Sequence, residues 1–483
     1  MAAPKRNDHL QVRLARATGL LAGHRYGTDA HEQGYRMLVE EADAPGGGWA
    51  QWLLGAYHLQ VIQRPGALAD ALRWLRSAAF AGVPQAIECM ADLCLQGTAM
   101  PYSLDGAMRH LRVLADGGHA ASAWQLGYLA ADDDAPETGV SPASLMLRAC
   151  ALGFPPAYYS LGSRCAQGRG MARDPTLARA LLLRAADAGY HDAREAADAL
   201  AAEAGPDAMR WHARLKDNLA AAQVLLARAD RSGFGTAENA AAQVAALEAH
   251  FVSVGHPAFA LDGEGRAHVV DSGADPMRAA SAWDWLCNAP KIGICRGFAN
   301  REECVWLINR MLATMPGPGS NAPRRIDGAA GHPPPQAQIH LFRMLETDAV
   351  MRQLQRRFCQ ALSWAPACLE PSAVLRYGAG HSDGPHLDGF TAQQIASNRS
   401  ERGDLGGQRL ATFQLWLQVP LRGGETEYPG VDRIVRGEPG MALVHGNVRG
   451  GLPDEASRYC EREVLKGEKW LWRTALRARS LYA

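Results

Sequence analysis

Apolar residues in the first half of the chain recur at the spacing of an α-helix, with polar residues between them. Three such groups are Leu72, Leu75 and Ala79, then Leu111, Leu114 and Ala115, then Leu181, Leu182 and Ala185. Residues three and four positions apart lie on one face of a helix, so each group predicts a helix with one apolar face. The pattern predicts an α-helical N-terminal half in which these faces pack together.

A second pattern repeats on a longer scale. Gly46, Gly82, Gly118, Gly153 and Gly189 follow one another at intervals of 36, 36, 35 and 36 residues. A small residue stands four positions after each glycine, namely Ala50, Ala86, Ser122, Ala157 and Ala193. A fixed period of this length indicates a solenoid of stacked helical hairpins, in which small residues let the helices approach closely. A plain helical bundle is the alternative, but it does not require nearly equal intervals.

The copy that contains Ala157–Gly162 and Ala185–Gly189 resembles Sel1-like repeats, which are helical hairpins related to tetratricopeptide repeats. The resemblance implies a helical repeat domain over residues 1–250 that binds a protein or peptide partner on its concave face. The repeats do not identify that partner.

The pattern changes after residue 250. Two short strand-like runs, Ala258–Leu261 and His268–Val270, flank the turn residues Asp262–Gly265, which predicts a small hairpin in a linker over residues 251–286. Further on, residues 316–336 are rich in Pro and Gly and residues 391–408 are polar, so both are predicted as loops. Long loops of this kind are candidate substrate lids.

The C-terminal part carries candidate metal chemistry. His386 and Asp388 are two residues apart, so on a β-strand their side chains project to the same side and can bind one metal ion. Two histidines and one carboxylate are the common ligands of non-haem iron(II) that activates oxygen. The pair belongs to an ordered series of blocks: Tyr377–Gly380, His386–Asp388, Arg409–Thr412, Gly423–Thr426 and Val464–Trp470.

This series resembles the catalytic domain of prolyl 4-hydroxylases, which are iron(II)/2-oxoglutarate oxygenases. The resemblance extends back to Pro290–Ile292 and Phe298–Cys304 and covers roughly residues 287–483. It implies a double-stranded β-helix, or jelly roll, with flanking helices. Together with the repeats, it predicts a multidomain α + β protein with a helical N-terminal solenoid.

One position departs from the family pattern. The resemblance places a second iron-binding histidine ten residues before Lys469, where this chain has Tyr459 (469 − 459 = 10). Three interpretations stay open: iron is held by His386, Asp388 and Tyr459; iron recruits His445 instead; or the chain keeps the barrel without iron chemistry. A phenol, with an ordinary pKa of about 10, must lose its proton to bind iron. The structural alternative makes Tyr459 a core aromatic and His445 a packed core histidine.

The same resemblance implies a 2-oxoglutarate site. Lys469 would pair with the far carboxylate of oxoglutarate, with Tyr377 and Thr412 as further cofactor-binding candidates, although Thr412 is interpreted first as a structural residue of a barrel strand. Asp383 occupies a place where many relatives have a tyrosine that helps to bind oxoglutarate. Iron(II) and 2-oxoglutarate are therefore the expected cofactors, and ascorbate is a further candidate.

Composition narrows the remaining choices. The chain has 483 residues, 47% of them apolar, which is enough for two cores. Fifty basic and fifty acidic residues give no net charge and no dense basic run occurs, so neither nucleic acid nor a membrane surface is predicted as a partner. The start, Met1–Asn7, lacks a signal-peptide core, and the ten cysteines form no Cys-x-x-Cys pair, so a cytoplasmic protein with reduced thiols is expected.

Two hypotheses about function follow. In the first, the protein is an iron(II)/2-oxoglutarate-dependent dioxygenase that hydroxylates a prolyl or other residue of a peptide presented by the helical repeats. In the second, it is a catalytically silent oxygenase-fold adaptor or binding protein, because Tyr459 replaces the second histidine and Asp383 replaces the tyrosine. A third and weaker possibility is that the repeats alone are functional and the barrel helps the protein to dimerise. The oligomeric state is not predicted.

Overall fold

The computed structural model describes the chain except for residues 1–3, 25, 62–63, 65, 133, 137–138, 218–219, 221–236, 271–282, 316–336, 403–405 and 482–483. The predicted loop at 316–336 lies outside the described residues. The described residues divide into two compact units: the first comprises those within 1–114 and 344–347, and the second comprises those within 115–343 and 348–481. The domain boundaries drawn from the sequence at residues 250 and 286 stay a prediction.

The N-terminal part is helical, as predicted. Its helices are α1 (Pro4–Gly23), α2 (Asp29–Ala42), α3 (Gly48–Gln60), α4 (Ala67–Phe80), α5 (Pro84–Gln96), α6 (Leu104–Asp116), α7 (Ala120–Leu129), α8 (Pro142–Ala151), α9 (Pro155–Gln167), α10 (Pro175–Asp187), α11 (Ala193–Ala199) and α12 (Ala237–Val252). Within the described part of the chain, no helix has both the length and the apolar character needed to cross a membrane.

The repeating glycines mark the turns between these helices. All five have positive φ angles, between 75° and 89°, a backbone conformation that glycine adopts without steric cost. The small residues that follow them are buried. Close packing also requires Gly162 on α9, because a Cβ atom there would lie 3.0 Å from Leu182 Cγ on α10. The predicted helical repeat region is therefore confirmed, with turns and close helix contacts at the expected positions.

The C-terminal part is rich in β-structure. Its strands are β1 (Phe259–Leu261), β2 (Ala267–Val269), β3 (Asp284–Asn288), β4 (Lys291–Cys295), β5 (Gln338–Leu341), β6 (Ala373–Tyr377), β7 (Asp383–His386), β8 (Arg409–Gln418), β9 (Arg422–Gly423), β10 (Thr426–Tyr428), β11 (Arg433–Val435), β12 (Ala442–Gly446), β13 (Val448–Arg449), β14 (Leu452–Pro453), β15 (Tyr459–Glu461), β16 (Val464–Lys466) and β17 (Lys469–Arg477). Strands β1 and β2 pair as the predicted hairpin.

Two sheets carry the candidate site. One has seven strands in the order β3-β4-β12-β8-β17-β6-β5, and the other has four in the order β11-β10-β15-β7. Their apolar side chains share one buried cluster, which includes Ile292 and Leu471 from the larger sheet and Tyr428 and Tyr459 from the smaller. The two sheets therefore enclose a common core, and Tyr459 is part of it.

Helices of the second unit also pack against the C-terminal part. Helix α13 (Arg301–Thr314) places the Trp306 ring 4.1 Å, between centroids, from that of Trp124 on α7. The Tyr128 hydroxyl donates a hydrogen bond of 2.6 Å to Glu303, and Arg357 on α14 (Ala349–Leu362) donates two more to the same buried carboxylate. Repeat helices of the second unit thus share a core with the helices that flank the sheets.

The predicted loop at residues 391–408 is wrong over most of its length. Residues Ala392–Arg402 form helix α15. The Thr391 hydroxyl accepts a hydrogen bond of 3.2 Å from the backbone N–H of Gln394, which caps the first turn. Polar composition predicted a loop, but a cap followed by residues that tolerate a helix was sufficient to form one.

Candidate functional site

The candidate iron ligands lie between the two sheets. Strand β7 pairs with β15 so that His386 is directly opposite Tyr459, and their ring centroids are 4.5 Å apart. His445 projects from β12 of the larger sheet, and its ring centroid is 4.7 Å from that of Tyr459. Asp388 follows β7, and its carboxylate is 3.8 Å from His386 Nε2. The fold therefore brings together all four residues considered from the sequence.

The carboxylate of Asp388 is already occupied by donors from the chain. Arg473 on β17 donates to both oxygens, at 2.6 Å for Oδ1. Oδ2 also accepts hydrogen bonds from the Thr412 hydroxyl at 2.6 Å and from the Tyr459 hydroxyl at 3.1 Å. A second cation, Arg409, lies 3.7 Å from Oδ1. Asp388 is thus the acceptor at the centre of a polar network, with a guanidinium in direct contact.

The charge states follow from this network. Burial alone would raise the pKa of Asp388, but the positive charges of Arg473 and Arg409 outweigh it and hold this pKa well below its usual range. Burial raises the pKa of Tyr459 well above the ordinary value of a phenol. Tyr459 is therefore a neutral hydrogen-bond donor to a carboxylate anion.

His445 is a buried histidine with unused polar atoms. Its side chain has no solvent exposure, and neither ring nitrogen has a hydrogen-bond partner among the described residues. Its pKa is lowered to about 3, chiefly by burial; the charge of Asp388 opposes this effect and the charge of Arg473 adds to it. The imidazole is consequently neutral over the physiological pH range.

Neutral burial of His445 predicts an acid-sensitive stability. The folded-state pKa, about 3, lies below the ordinary value of about 6.5, so the unfolded chain takes up the proton first. Stability should fall as the pH drops from about 6.5 towards 3, with a loss of about 2 kcal/mol by pH 5. His445→Phe should remove this part of the pH dependence, measured by urea denaturation from pH 7 to 5. The control is His24→Phe, which replaces an exposed histidine. If the free energy of unfolding of His445→Phe depends on pH as it does in the natural protein, His445 is not the source of the acid sensitivity.

These residues do not fit an iron(II) ion in the arrangement described. Among the described residues, no group of three or more His, Cys, Asp and Glu side chains is placed to hold a metal ion. Asp388 is engaged by Arg473, and the third position is a protonated phenol. Iron(II) is low in the affinity order of divalent metals and depends on good ligands.

The expected oxoglutarate lysine also has a partner within the chain. Lys469 on β17 is fully buried and forms an ion pair with Glu461 on β15. Its ammonium also donates to the Gly424 carbonyl at 2.7 Å. The Glu461 carboxylate accepts two further hydrogen bonds, from Gln414 at 3.1 Å and from Thr426 at 2.7 Å. Lys469 is thus neutralised where the resemblance expects an oxoglutarate carboxylate.

The other cofactor-binding candidates divide between the two ends of the site. Tyr377 is buried opposite Lys469 in the β6–β17 pairing, and its ring centroid is 5.8 Å from the ammonium. Thr412 lies instead beside Asp388 and also accepts a hydrogen bond of 3.0 Å from Asn447. Asp383 is opposite Glu461 in the β7–β15 pairing.

Two residues of the site, Arg473 and Glu461, were missed from the sequence. Glu461 lies two positions after Tyr459, and Arg473 four positions after Lys469. Residues separated by an even number on a strand share a face, so this spacing already places both side chains on the face of the motif residues. The sequence therefore indicated the face of the strand on which the two side chains lie, but it did not indicate which residues they contact.

Comparison with known proteins adds a family context. No family model matches the chain. Prolyl 4-hydroxylase 13 of Arabidopsis thaliana is 25% identical over 198 residues, which cover 38% of this chain and 69% of that protein. Among solved structures, the viral collagen prolyl hydroxylase of Paramecium Bursaria Chlorella virus-1 has 21% identity and a TM-score of 0.31, over 40% of this chain and 99% of that one. A Sel1 repeat protein of Oxalobacter formigenes has 21% identity and a TM-score of 0.34, over 50% of this chain and 75% of that one.

The comparisons find both resemblances that the sequence suggested, to prolyl 4-hydroxylases and to Sel1 repeats. The curated relatives are named as prolyl 4-hydroxylases, so the C-terminal part is similar in sequence to dioxygenases of that type. Relative to the pattern that the resemblance implies, this chain has Tyr459 in place of the second histidine, and both Asp388 and Lys469 have charged partners within the chain.

Proposed function

We propose that the protein recognises a prolyl-containing polypeptide through its prolyl hydroxylase-like domain, without iron-dependent oxidation of that polypeptide. The observation that carries this proposal is the contact of Arg473 with both oxygens of Asp388. Arg473 thereby occupies both oxygens of the carboxylate that the resemblance assigns to iron.

The energetics support this choice. Iron(II) would have to displace Arg473 from Asp388 and leave a guanidinium charge beside a dication. Separating the partners of a buried ion pair costs on the order of 3–5 kcal/mol. Binding through Tyr459 would also require the loss of a phenol proton that burial retains. Both free-energy costs weaken iron(II) binding and would have to be offset by the bonds between iron and its ligands.

The polypeptide part of the proposal rests on the relatives and on the second unit. The curated relatives carry the name prolyl 4-hydroxylase, which points to prolyl residues as the recognised chemistry. Repeat helix α7 packs against the C-terminal part through Trp124 and Tyr128. The repeat helices of the second unit and the C-terminal part can therefore contribute to one binding surface. We also propose that the two sheets form the double-stranded β-helix of that family.

A second candidate function is hydroxylation of a prolyl or other residue, with iron(II), 2-oxoglutarate and ascorbate as cofactors. The sequence similarity to prolyl 4-hydroxylases favours it, as does the placement of His386, Asp388 and Tyr459 side by side. In this candidate, polypeptide binding or metal loading would have to move Arg473 away from Asp388.

One experiment separates the two candidates. The full chain, freed of metal with a chelator, is titrated anaerobically with iron(II), and succinate release is then measured in air with oxoglutarate and poly-L-proline. We expect no succinate above the protein-free background, and poly-L-proline binding that is the same with and without iron. Iron-dependent succinate release that His386→Ala abolishes would establish the hydroxylase instead. Absence of poly-L-proline binding would contradict polypeptide recognition.

A further inference from the structure

The Lys469–Glu461 pair is built into the core between the two sheets. Both side chains are buried, and the Glu461 carboxylate is bound by donors from three strands: Gln414 on β8, Thr426 on β10 and Lys469 on β17. Each carboxylate oxygen therefore has at least one hydrogen-bond partner. A buried carboxylate needs hydrogen bonds to compensate for its loss of water, and Glu461 has them, whereas a carboxylate in a surface ion pair remains solvated.

A carboxylate in this position competes directly with a ligand carboxylate. Lys469 offers one positive charge, and Glu461 already neutralises it. A second carboxylate at the same ammonium would meet the negative charge of Glu461 at short range, where buried charges are weakly screened. Glu461 is also tethered to the chain, so its effective concentration near Lys469 corresponds to a millimolar or higher free ligand.

We propose that Glu461 is the chain's own substitute for the ligand carboxylate on Lys469, and that its removal opens Lys469 to free dicarboxylates such as 2-oxoglutarate. The inference deepens the proposed function, because it names the residue that keeps oxoglutarate out of the prolyl hydroxylase-like domain. Glu461 is then a specificity-determining residue, which selects against a ligand by occupying its cationic partner.

The test measures binding directly and without metal. In the presence of EDTA, calorimetric titrations compare 2-oxoglutarate and glutarate with 2-oxobutyrate, which keeps the keto acid group but lacks the far carboxylate. We expect Glu461→Gln to bind both dicarboxylates at least about tenfold more tightly than the natural protein does, and more tightly than it binds 2-oxobutyrate. Glu468→Gln is the matched control, because it removes the same charge from a partly exposed pair with Arg376.

Several outcomes would overturn the proposal. Oxoglutarate binding by the natural protein as tight as by Glu461→Gln would show that Glu461 does not exclude it. If Glu461→Gln and Glu461→Ala both fold and neither gains dicarboxylate affinity, Lys469 is not the ligand site, because alanine removes the volume of the side chain as well as its charge. If Glu461→Gln does not fold by itself, refolding with glutarate should raise its soluble yield above that with 2-oxobutyrate, and equal yields would contradict the inference. Iron-dependent turnover by the natural protein would contradict the proposed function separately.

Discussion

Replacing Lys469 with methionine is expected to lower the free energy of unfolding by about 3–5 kcal/mol. The Lys469 side chain has no solvent exposure, and its partner Glu461 is only 2% exposed, so the substitution leaves a buried carboxylate without its cation. Gln414 and Thr426 would still donate to that carboxylate, but neither carries a charge. Urea denaturation at pH 7 measures the change.

Two further variants test the cause. Lys466→Met removes an exposed lysine from strand β16, which precedes β17 in the chain, and it should change the free energy of unfolding by less than about 0.5 kcal/mol. The double variant Lys469→Met with Glu461→Gln removes both charges and should recover most of the stability lost in the single variant. A double variant as unstable as the single one would mean that the ion pair is not the origin of the loss.

The repeat region was largely predictable from the sequence, because its determinants are local. Gly82 and Gly153, two of the periodic glycines, adopt the left-handed backbone that ends a helical segment, and a residue's backbone preference can be assigned without knowledge of distant partners. Close helix packing at Gly162 is likewise encoded by the small size of one residue. The helix Ala392–Arg402 was missed because a polar composition fits a loop and an exposed helix equally well.

The site was predictable only in part. The structure brings His386, Asp388 and Tyr459 close together, but Asp388 follows strand β7 and does not lie on it, so the even spacing on one strand is not what places its carboxylate. The partners of the charged residues were not predictable, because an ion pair such as Arg473–Asp388 joins positions 85 residues apart. With fifty basic and fifty acidic residues, the sequence offers many possible pairs, and the sheet register selects among them.

The Arg473–Asp388 and Lys469–Glu461 ion pairs are arranged in the same way. Arg473 and Lys469 project from β17, and each contacts a carboxylate of the chain at one end of the site, Asp388 or Glu461. Positions that the resemblance assigns to iron and to oxoglutarate are thus both neutralised from within. Since a buried unpaired charge is costly, each charge depends on its partner, and the chain keeps both pairs neutral without any cofactor.

Combining Tyr459→His with Arg473→Gln is expected to increase iron(II) affinity by at least about 100-fold over the natural protein. The first substitution replaces a protonated phenol with an imidazole that is largely neutral at pH 7, directly opposite His386. The second releases both oxygens of Asp388 from the guanidinium. Anaerobic titration with iron(II), or calorimetry with cobalt(II), measures the affinity.

The single variants and a matched double variant identify which change matters. Tyr459→His alone should bind iron(II) more weakly than the double variant, because Arg473 still occupies Asp388. Tyr459→Phe with Arg473→Gln also frees Asp388 but supplies no imidazole, so it should bind iron(II) clearly more weakly than the double variant that carries Tyr459→His. Equal affinities for the two double variants would place position 459 outside the metal site, and His445, 4.7 Å away between ring centroids, would become the residue to replace.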